Sequence, residues 1–337
     1  MKLLIVADPQ LIGYRNDLPG IFGSIARYDA DTYLSRTYAQ AIKHHNPDMI
    51  IFLGDLFDEG NTATNDEYLA TVKRFRKVFP IHKPTLVLYI PGDNDVGGEG
   101  ADRFSNTAQR RFNRHFDTAK LQLNYIFFRF LKFTQVSVMS SEYRQVGIIT
   151  PNANESDFVS VLVSHVPLLD TLNYGAERIL RNVRPHLILS AHEHRARVIS
   201  RKNVIERYVM SVMQIKPESN FLFSKTFLNK SPGQKMDSEQ SFLDGHPAYE
   251  ILSPTCSYRM GVRHMGYGGV IIEQLENKSV NIRYTIFWTP DRYFQLYTYL
   301  AAVCIGLFGI AAFIWTKYWN RMFRFFRSVN NHSHDLF

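Results

Sequence analysis

Short apolar runs of about strand length recur along the first part of the chain, and each is followed at once by Asp, Asn, Gln or His. Continuous apolar runs are typical of strands buried on both faces of a sheet. The five runs, each with the residues that follow it, are LLIVADPQ, MIIFLGDLFD, TLVLYIPGDND, VSVLVSH and HLILSAHEH. They end at Gln10, Asp58, Asp95, His165 and His194, respectively.

Helical patterns lie between these runs, because apolar residues recur there at spacings of three and four. A proline follows each pattern, at Pro47, Pro80 and Pro185, and marks the end of a helix. Strands that alternate with helices predict an α/β fold with a largely parallel sheet. The three stripes are Tyr33, Leu34, Tyr38, Ala41 and Ile42; Tyr68, Leu69, Val72, Phe75 and Phe79; and Leu172, Ala176, Ile179, Leu180 and Val183.

The polar residues behind the five runs are expected to share one edge of the sheet, because ligands bind beyond the carboxyl ends of parallel strands. A single Asp or His in such a place commonly closes a turn or caps a helix. Five cases in order favour a common site over capping. The residues concerned are Asp8, Gln10, Asp55, Asp58, Asp93, Asn94, Asp95, His165, His192 and His194.

Residues 296–315, LYTYLAAVCIGLFGIAAFIW, carry no charge. About 20 apolar residues suffice to cross a bilayer as a helix, and aromatic residues near both ends suit the membrane interfaces. The segment therefore predicts a transmembrane helix, followed by a short basic tail over 316–337; a buried core helix is the alternative. The apolar stretch after Met1 is too short for a signal peptide, so either the start is truncated or the protein inserts by its tail.

Net charge and cysteine count exclude only a few classes of partner and site. A net charge of +8 favours anionic partners, but there is no long basic block, so a nucleic-acid partner is not expected. Two cysteines exclude a disulfide framework and a cysteine-based zinc site. Residues 216–247 are rich in Ser, Asn, Gly, Pro and Lys and are predicted to form a surface insertion.

The five blocks DPQ, GDLFD, PGDND, SH and AHEH resemble, in order, the motifs of the calcineurin-like metallophosphoesterases: D-x-H, G-D-x-x-D, G-N-H-D/E, an isolated H, and G-H-x-H. The resemblance covers roughly residues 1–290 and implies that they form the catalytic domain. The longer strings VADPQLIG and GDLFDEG, together with the C-terminal apolar segment, look most like the membrane-bound branch of that family. This branch includes the GPI-anchor ethanolamine-phosphate phosphodiesterases and the yeast Cdc-type phosphoesterases.

The resemblance implies a sandwich of two mixed β-sheets flanked by helices, with a site for two metal ions. Asp55 would bridge the two ions, since a carboxylate has two oxygens. Asp58 is not a ligand in this pattern and would orient a ligand or close the turn. Asp8, Gln10 and His194 would complete the coordination of one ion. Asp93, His165 and His192 would complete the coordination of the other.

The sequence departs from the family pattern at two places. Gln10 stands where many members have His, and would coordinate through its amide oxygen. In the third block Asp93 takes the position of the ligand Asn if no gap is introduced, while a shift by one residue makes Asn94 the ligand. In either alignment the proton-donating His is missing. Asp55, Asn94 and His165 are the residues expected to act in catalysis.

The implied ligand set holds three Asp, one Gln and three His. Oxygen-rich sites suit Mn²⁺ or Mg²⁺ and imidazoles suit Zn²⁺ or Fe, so Mn²⁺ is favoured and the other three are possible. Tyr258 and Arg259, in the stretch PTCSYRMGVRHMGYGG, are predicted either to contact substrate or to pack within the fold. Arg110, Arg111 and Arg114 follow the third block, either as phosphate ligands or as a solvated helix face.

The resemblance implies a membrane-anchored, metal-dependent phosphodiesterase. The expected reaction is removal of a phosphoethanolamine side group from a GPI-anchor glycan, during maturation and ER-to-Golgi transport of GPI-anchored proteins. The partners would then be a GPI glycolipid or a GPI-anchored protein and the membrane of the endoplasmic reticulum or Golgi apparatus, with the catalytic domain in the lumen. The alternatives are a nuclease or phosphatase of the same fold, and a scaffold without catalytic activity that retains metal.

Overall fold

The computed structural model describes most of the chain and divides it into two units, Met1–Pro290 and Asp291–Phe337. The described residues are 1–15, 20–82, 84–99, 102–116, 131–136, 143–145, 159–170, 174–202, 211–227, 247–275 and 279–334.

One sheet of the first unit has six strands. The three strands at one end of its order, β1, β2 and β3, run parallel, and β12, β13 and β10 extend the sheet with antiparallel pairs. The strand order is β10-β13-β12-β1-β2-β3. The strands are β1 (Lys2–Val6), β2 (Met49–Phe52), β3 (Leu86–Tyr89), β10 (Phe223–Phe227), β12 (Gly266–Gln274) and β13 (Val280–Trp288).

The other sheet has seven strands in the order β5-β4-β6-β7-β11-β8-β9. Strands β4, β6, β7 and β11 run parallel, and the strands at both edges pair antiparallel. The two sheets are therefore mixed, as the resemblance implied. The strands are β4 (Leu131–Val136), β5 (Tyr143–Gln145), β6 (Val159–Val163), β7 (Leu187–Ser190), β8 (Arg197–Arg201), β9 (Ser211–Gln214) and β11 (Ala248–Leu252).

Helices cover the outer faces of both sheets. Thr64 caps α2 with its side chain, and Glu67 completes a capping box, so the chain leaves the loop after β2 at a fixed point. A short helix, α3, starts directly at Asp93. The helices of the first unit are α1 (Gly20–His45), α2 (Asn65–Val78), α3 (Asp93–Val96), α4 (Asn106–Phe116) and α5 (Tyr174–Val183).

The core follows from the alternation of side chains along each strand. Leu3 and Ile5 of β1 join an apolar cluster with β6 and β7 of the other sheet, so this cluster fills the space between the sheets. Leu4 and Val6 point the opposite way and pack with residues of α1 and α2. Burial on both faces explains why these strands are apolar throughout, and it fixes the positions at which they end.

The segment 216–247, predicted to be a surface insertion, belongs to the sheet in its first part. Strand β10 pairs with β13, and Phe223 and Phe227 are buried in the core between the sheets. Only its two terminal residues are apolar, because the strand lies at the edge of the sheet. Residues 228–246 of the predicted insertion lie outside the described residues.

The second unit is one long helix, α6 (Arg292–His334). Its stretch Arg292–Arg324 is 33 residues long, reaches a mean hydropathy of 2.0 over an 18-residue window, and is long and apolar enough to cross a membrane. None of that window is buried within the protein. The predicted span 296–315 lies inside it, and most of the predicted tail over 316–337 continues the same helix.

Candidate metal centre

The carboxyl ends of β1, β2 and β3 in one sheet meet those of β6 and β7 in the other. His165, which follows β6, places its Nδ1 2.6 Å from the carbonyl oxygen of Leu53 at the end of β2. The backbone N–H of His192, which follows β7, donates to Asp8 Oδ1 at 3.3 Å. The five predicted strand ends therefore form one site across the two sheets.

A first group of metal-binding atoms comes from Asp93, His165 and His192. Asp93 Oδ1 lies 3.0 Å from His165 Nε2 and 3.1 Å from His192 Nδ1, and these two imidazole nitrogens lie 3.3 Å apart. Metal–ligand distances of about 2.1 Å put neighbouring ligand atoms about 3 Å apart. The spacing of the three atoms therefore fits a shared ion.

The partners of the two histidines fix which nitrogen is free to bind. His165 Nδ1 faces the Leu53 carbonyl, which can only accept, so Nδ1 donates its proton there and Nε2, beside Asp93, is the nitrogen left to bind a metal. In His192 the roles of the nitrogens are reversed: Nε2 lies 3.3 Å from a carboxylate oxygen of Glu99, and Nδ1 faces Asp93. Each imidazole thus has an acceptor oxygen beside the nitrogen opposite the one that faces Asp93, as metal-bound histidines do.

Asp55 directs its two carboxylate oxygens to different neighbours. Its Oδ1 lies 3.5 Å from His165 Nε2, while its Oδ2 accepts a hydrogen bond from Gln10 Nε2 at 3.0 Å. Asn94 spans both oxygens, donating from its backbone N–H to Oδ1 at 3.0 Å and from its side-chain amide to Oδ2 at 2.9 Å. One oxygen therefore faces the group around Asp93, and the other faces Gln10.

Asp8 belongs to a second group of metal-binding atoms, with Asp55 and His165. The side chain of Asp8 is fully buried, and its Oδ2 has no hydrogen-bond partner. Such an atom is costly to bury, because a carboxylate oxygen without a partner loses its hydration and gains nothing in return. A bound cation would satisfy it.

Gln10 and His194 touch each other beside the second group. Gln10 Nε2 lies 3.2 Å from His194 Nε2, and the backbone N–H of Gln10 donates to the carbonyl oxygen of Asp55 at 2.9 Å. His194 lies outside both groups of converging atoms. An amide oxygen of Gln10 in the place of its nitrogen would face both Asp55 and His194, which is the arrangement that a metal ligand requires.

The backbone around the site is left-handed at most of the predicted ligands. Of the eight non-glycine residues with positive φ in the described part of the chain, five are predicted ligands: Asp8, Gln10, Asp55, His192 and His194, with φ between 39° and 72°. This region is unfavourable for residues with a Cβ, and such strain concentrates at functional sites. The turn also lets His192 and His194, two residues apart, face the same site without an extended backbone.

Gly92 and Gly54 have no Cβ at the points where the Asp55 carboxylate and the His165 imidazole lie against the backbone. A Cβ on Gly92 would lie 2.0 Å from Asp55 Oδ1, and a Cβ on Gly54 would lie 2.5 Å from His165 Nδ1. Gly54 also has a φ of 92°, which favours glycine. The glycines of the blocks GDLFD and PGDND are thus explained by close approach at the site.

The site holds more buried negative charge than its own cations offset. Burial raises the pKa of Asp8, and it raises the pKa of Asp55 well above its ordinary value. Burial lowers the pKa of His165, but Asp55, Asp93 and Asp8 outweigh this effect and raise that pKa to about 10. In the described part of the chain no Lys or Arg pairs with the three carboxylates. The donor set, the charge and the bare Asp8 oxygen therefore fit divalent cations.

Two acidic residues have roles at the site that the sequence did not predict: Glu99 was not among the candidate residues, and Asp95 was expected at this sheet edge without an assigned role. Glu99 orients His192 from a glycine-rich loop, where no periodicity marks it; its place five residues after Asn94 is the only signal. Asp95 is fully buried and accepts hydrogen bonds from the backbone N–H groups of Leu56, Phe57 and Gly92 at 3.0 to 3.2 Å. Asp95 thereby holds the loop after β2 against the loop after β3.

The predicted substrate residue Tyr258 packs against helix α1. Tyr258 donates its hydroxyl to Asp29 at 2.8 Å and packs edge-on against Tyr33, both in α1, while Arg259 is exposed. The loop before them does reach the site, because Thr255 Oγ1 donates to the carbonyl oxygen of Asp8 at 2.8 Å.

The three arginines predicted either to bind phosphate or to form a solvated helix face, Arg110, Arg111 and Arg114, lie on α4. Arg111 donates to the carbonyl oxygens of Gly60 and Ala63 and lies over the Tyr68 ring, so it fastens α4 to the loop before α2. Arg110 and Arg114 are exposed, as expected of a solvated helix face.

Several known proteins are similar to this chain in sequence. The sequence model of a family described as calcineurin-like phosphoesterase matches residues 1–196, a range that contains all the predicted ligands. Cell division control protein 1 of Saccharomyces cerevisiae is 25% identical over 232 residues, which cover 65% of this chain and 45% of that protein. The Metallophosphoesterase 1 homolog of Drosophila melanogaster is 28% identical over 97 residues, which cover 29% of this chain and 25% of that protein.

A crystal structure of a metallophosphoesterase from Sphaerobacter thermophilus is 13% identical, with a TM-score of 0.35, and the match covers 85% of this chain and 88% of that chain. The chain spans less than half the length of the two curated relatives that it matches.

Proposed function

The chain belongs to the calcineurin-like phosphoesterase family, and on that premise we propose that it is a membrane-anchored phosphodiesterase with two metal ions. The observation that carries the proposal is the placement of Asp55, whose Oδ1 faces the group of Asp93, His165 and His192 while its Oδ2 faces Gln10. Asp93, His165 and His192 would hold one ion, and Asp8, Gln10 and His194 the other, with Asp55 between them. Mn²⁺ suits this mixture of carboxylate, amide and imidazole ligands.

Two divalent ions bound there would supply Lewis-acid activation of water and of a phosphoryl oxygen. The chain's own residues provide the orientation. Leu53 and Glu99 hold the imidazoles of His165 and His192 by the nitrogen opposite the ligand atom, and Asn94 holds both oxygens of Asp55. Asn94 can donate a hydrogen bond to a phosphoryl oxygen but cannot release a proton, so the proton for the leaving group has another source.

The finer proposal is that the substrate is a phosphoethanolamine group on a GPI-anchor glycan in the early secretory pathway. It is supported by the likeness of VADPQLIG and GDLFDEG to the membrane-bound branch of the family and by the apolar helix α6. A substrate embedded in the bilayer suits an enzyme held at the membrane surface. Mass spectrometry of GPI glycans after incubation with the purified chain tests it, since loss of one phosphoethanolamine group is expected and an unchanged glycan contradicts this substrate.

The test of the two-metal phosphodiesterase is Asp55→Asn. We expect the purified wild-type chain to bind two divalent ions and to hydrolyse a chromogenic phosphodiester such as bis(4-nitrophenyl) phosphate. Replacing the shared ligand should lower metal content and abolish turnover. Asp66→Asn in the first turn of α2 is the control for an exposed acidic residue. Two bound ions and full turnover in Asp55→Asn would contradict the bridging role; metal binding without turnover on any phosphoester in the wild type would favour a scaffold.

A further inference from the structure

The first two turns of α1 expose large apolar side chains on one side of the helix. Ile21, Phe22, Ile25 and Tyr28 are 73%, 69%, 59% and 75% exposed. Ile21, Ile25 and Tyr28 are spaced by four and three residues, so they form a single stripe. Single exposed apolar residues are ordinary on a protein surface, but a continuous apolar stripe marks an interaction surface. These four residues are called the α1 apolar face below.

Three side-chain contacts hold helix α1 against the rest of the first unit, so the α1 apolar face has a fixed position. Arg27 donates to the carbonyl oxygen of Gly13, three residues beyond the predicted ligand Gln10. Asp29 accepts from Tyr258, in the loop that reaches Asp8. Asp31 forms a double ion pair with Arg74 of α2, at 2.7 and 2.8 Å. The face thus lies on the same helix that buttresses the loops around the candidate metal centre.

Helix α1 also contacts the last residues of the first unit. The hydroxyl of Tyr33 lies 2.8 Å from Thr289 Oγ1 and 3.0 Å from the carbonyl oxygen of Pro290, the last residue of that unit. Six residues further along the chain, at Leu296, the uncharged segment of α6 begins. Tyr28 is five residues, or roughly 7.5 Å of helix, from Tyr33.

We propose that the α1 apolar face rests on the surface of the lipid bilayer that α6 crosses, and that it holds the metal centre next to lipid headgroups. The proposal rests on the membrane span proposed above. The covalent tether selects the bilayer as the partner, because at most ~15 Å of chain separates Pro290 from the start of the apolar segment. A face lying in the membrane interface typically has apolar residues inserted to the headgroup boundary and basic residues beside them. Arg36 and Lys43 are exposed further along α1 and suit anionic headgroups.

The experiment uses the full chain reconstituted in lipid nanodiscs, labelled on cysteine with an environment-sensitive fluorophore. Cys256 is fully buried and Cys304 lies exposed in α6, so the native chain labels within the span. On a Cys304→Ala background, Ile25→Cys places the probe on the α1 apolar face, and Lys77→Cys places it on exposed α2 as the matched control. Lipids that carry a nitroxide near the headgroup then quench only those probes that touch the interface.

We expect at least twofold quenching at Ile25→Cys by headgroup nitroxides, quenching at Cys304 by nitroxides deep in the acyl chains, and neither at Lys77→Cys. Quenching at Cys304 without quenching at Ile25→Cys overturns the surface contact and leaves the span intact. No quenching at Cys304 overturns the span and the inference together. Disulfide formation between two unlabelled Ile25→Cys chains under mild oxidation shows that a second copy covers the face, and also overturns the inference.

A double substitution separates this surface from the catalytic site. Phe22→Glu with Ile25→Glu should lower turnover of a vesicle-borne phosphodiester at least severalfold and leave turnover of bis(4-nitrophenyl) phosphate in detergent unchanged. Equal turnover of the vesicle-borne substrate by wild type and variant contradicts the inference, whereas loss of both activities would place these side chains in the catalytic unit instead.

Discussion

Asn94 donates two hydrogen bonds to Asp55, one from its backbone to Oδ1 and one from its side chain to Oδ2. The carboxylate of its neighbour Asp93 instead contacts His165 and His192. The two adjacent residues therefore differ in role: Asp93 offers a ligand atom to the first group, and Asn94 holds the carboxylate proposed to bridge the ions.

Replacing Asn94 with His tests this division. We expect Asn94→His to retain both metal ions and to raise turnover on phosphodiesters with poor leaving groups, because an imidazole can donate the proton that an amide cannot. General-acid assistance is worth about 10² to 10⁴ in rate. Turnover on esters of aliphatic alcohols is compared with turnover on nitrophenyl esters, together with metal content. If the variant loses one ion, Asn94 is itself the ligand and the role given to Asp93 is wrong.

Glu99 should set the metal affinity of the centre through His192. In Glu99→Gln the side chain can present its amide nitrogen to His192 Nε2, and it then ceases to favour the orientation in which Nδ1 binds metal. Loss of such a partner typically lowers metal affinity about 10- to 100-fold. Competition with a chromogenic chelator measures this affinity directly. Asp102→Asn, in the same region and exposed, is the control; an equal loss in both variants would show a general effect of charge.

The sequence predicts the part of the centre that depends on strand ends, and it misses the part that depends on loops. Apolar runs locate β1, β2, β3, β6 and β7, and the residues directly after them gather as expected. The apolar stripe in α1 begins at Tyr33, because the earlier turns point their apolar residues outward; the helix itself begins at Gly20. Glu99 and the left-handed turns at His192 and His194 leave no periodic signal, since tertiary contacts decide them.

The buried Glu250 should make stability depend on pH. Its carboxylate accepts backbone hydrogen bonds from Leu168 and Leu169 at 2.9 and 2.6 Å, yet burial prevails and raises its pKa from 4.5 to about 7. The folded state thus keeps a proton that the unfolded state releases above about pH 4.5. The stabilisation from this proton is complete below that pH and is lost as the pH rises towards 7, at up to about 1.4 kcal/mol per pH unit.

Glu250→Gln removes that dependence. The free energy of unfolding of the wild type, minus that of the variant, should decrease as the pH rises from about 4.5 to 7. Denaturant titrations of both proteins in detergent and with chelator, between pH 4 and 8, give this difference while the titration of the metal-site residues cancels. Glu218→Gln is the control for an exposed glutamate. A difference that stays constant with pH would show that Glu250 ionises at its ordinary pKa.

The last prediction concerns the side of the membrane on which the catalytic unit lies. Lys317, Arg321, Arg324 and Arg327 follow the apolar segment, whereas Arg292 alone lies close before it. Basic residues near a span are retained on the cytosolic side, so the C-terminal end is expected there and residues 1–290 in the lumen. Tail insertion would give the opposite orientation. A lumenal domain would also present the sequons at Asn154, Asn229 and Asn277, which lie outside the described residues, to the glycosylation machinery.

Protease protection on intact microsomes decides between the two orientations, with one tag before Met1 and another after Phe337. We expect the N-terminal tag and the domain to survive digestion, the C-terminal tag to be removed, and endoglycosidase treatment to increase the mobility of the protected fragment. Microsomes opened with detergent are the control, because every fragment should then be digested. If the domain is digested in sealed vesicles while the C-terminal tag survives, the catalytic unit faces the cytosol. A lumenal GPI glycan could not then be its substrate, although the phosphodiesterase chemistry proposed for Asp55 and its neighbours would stand.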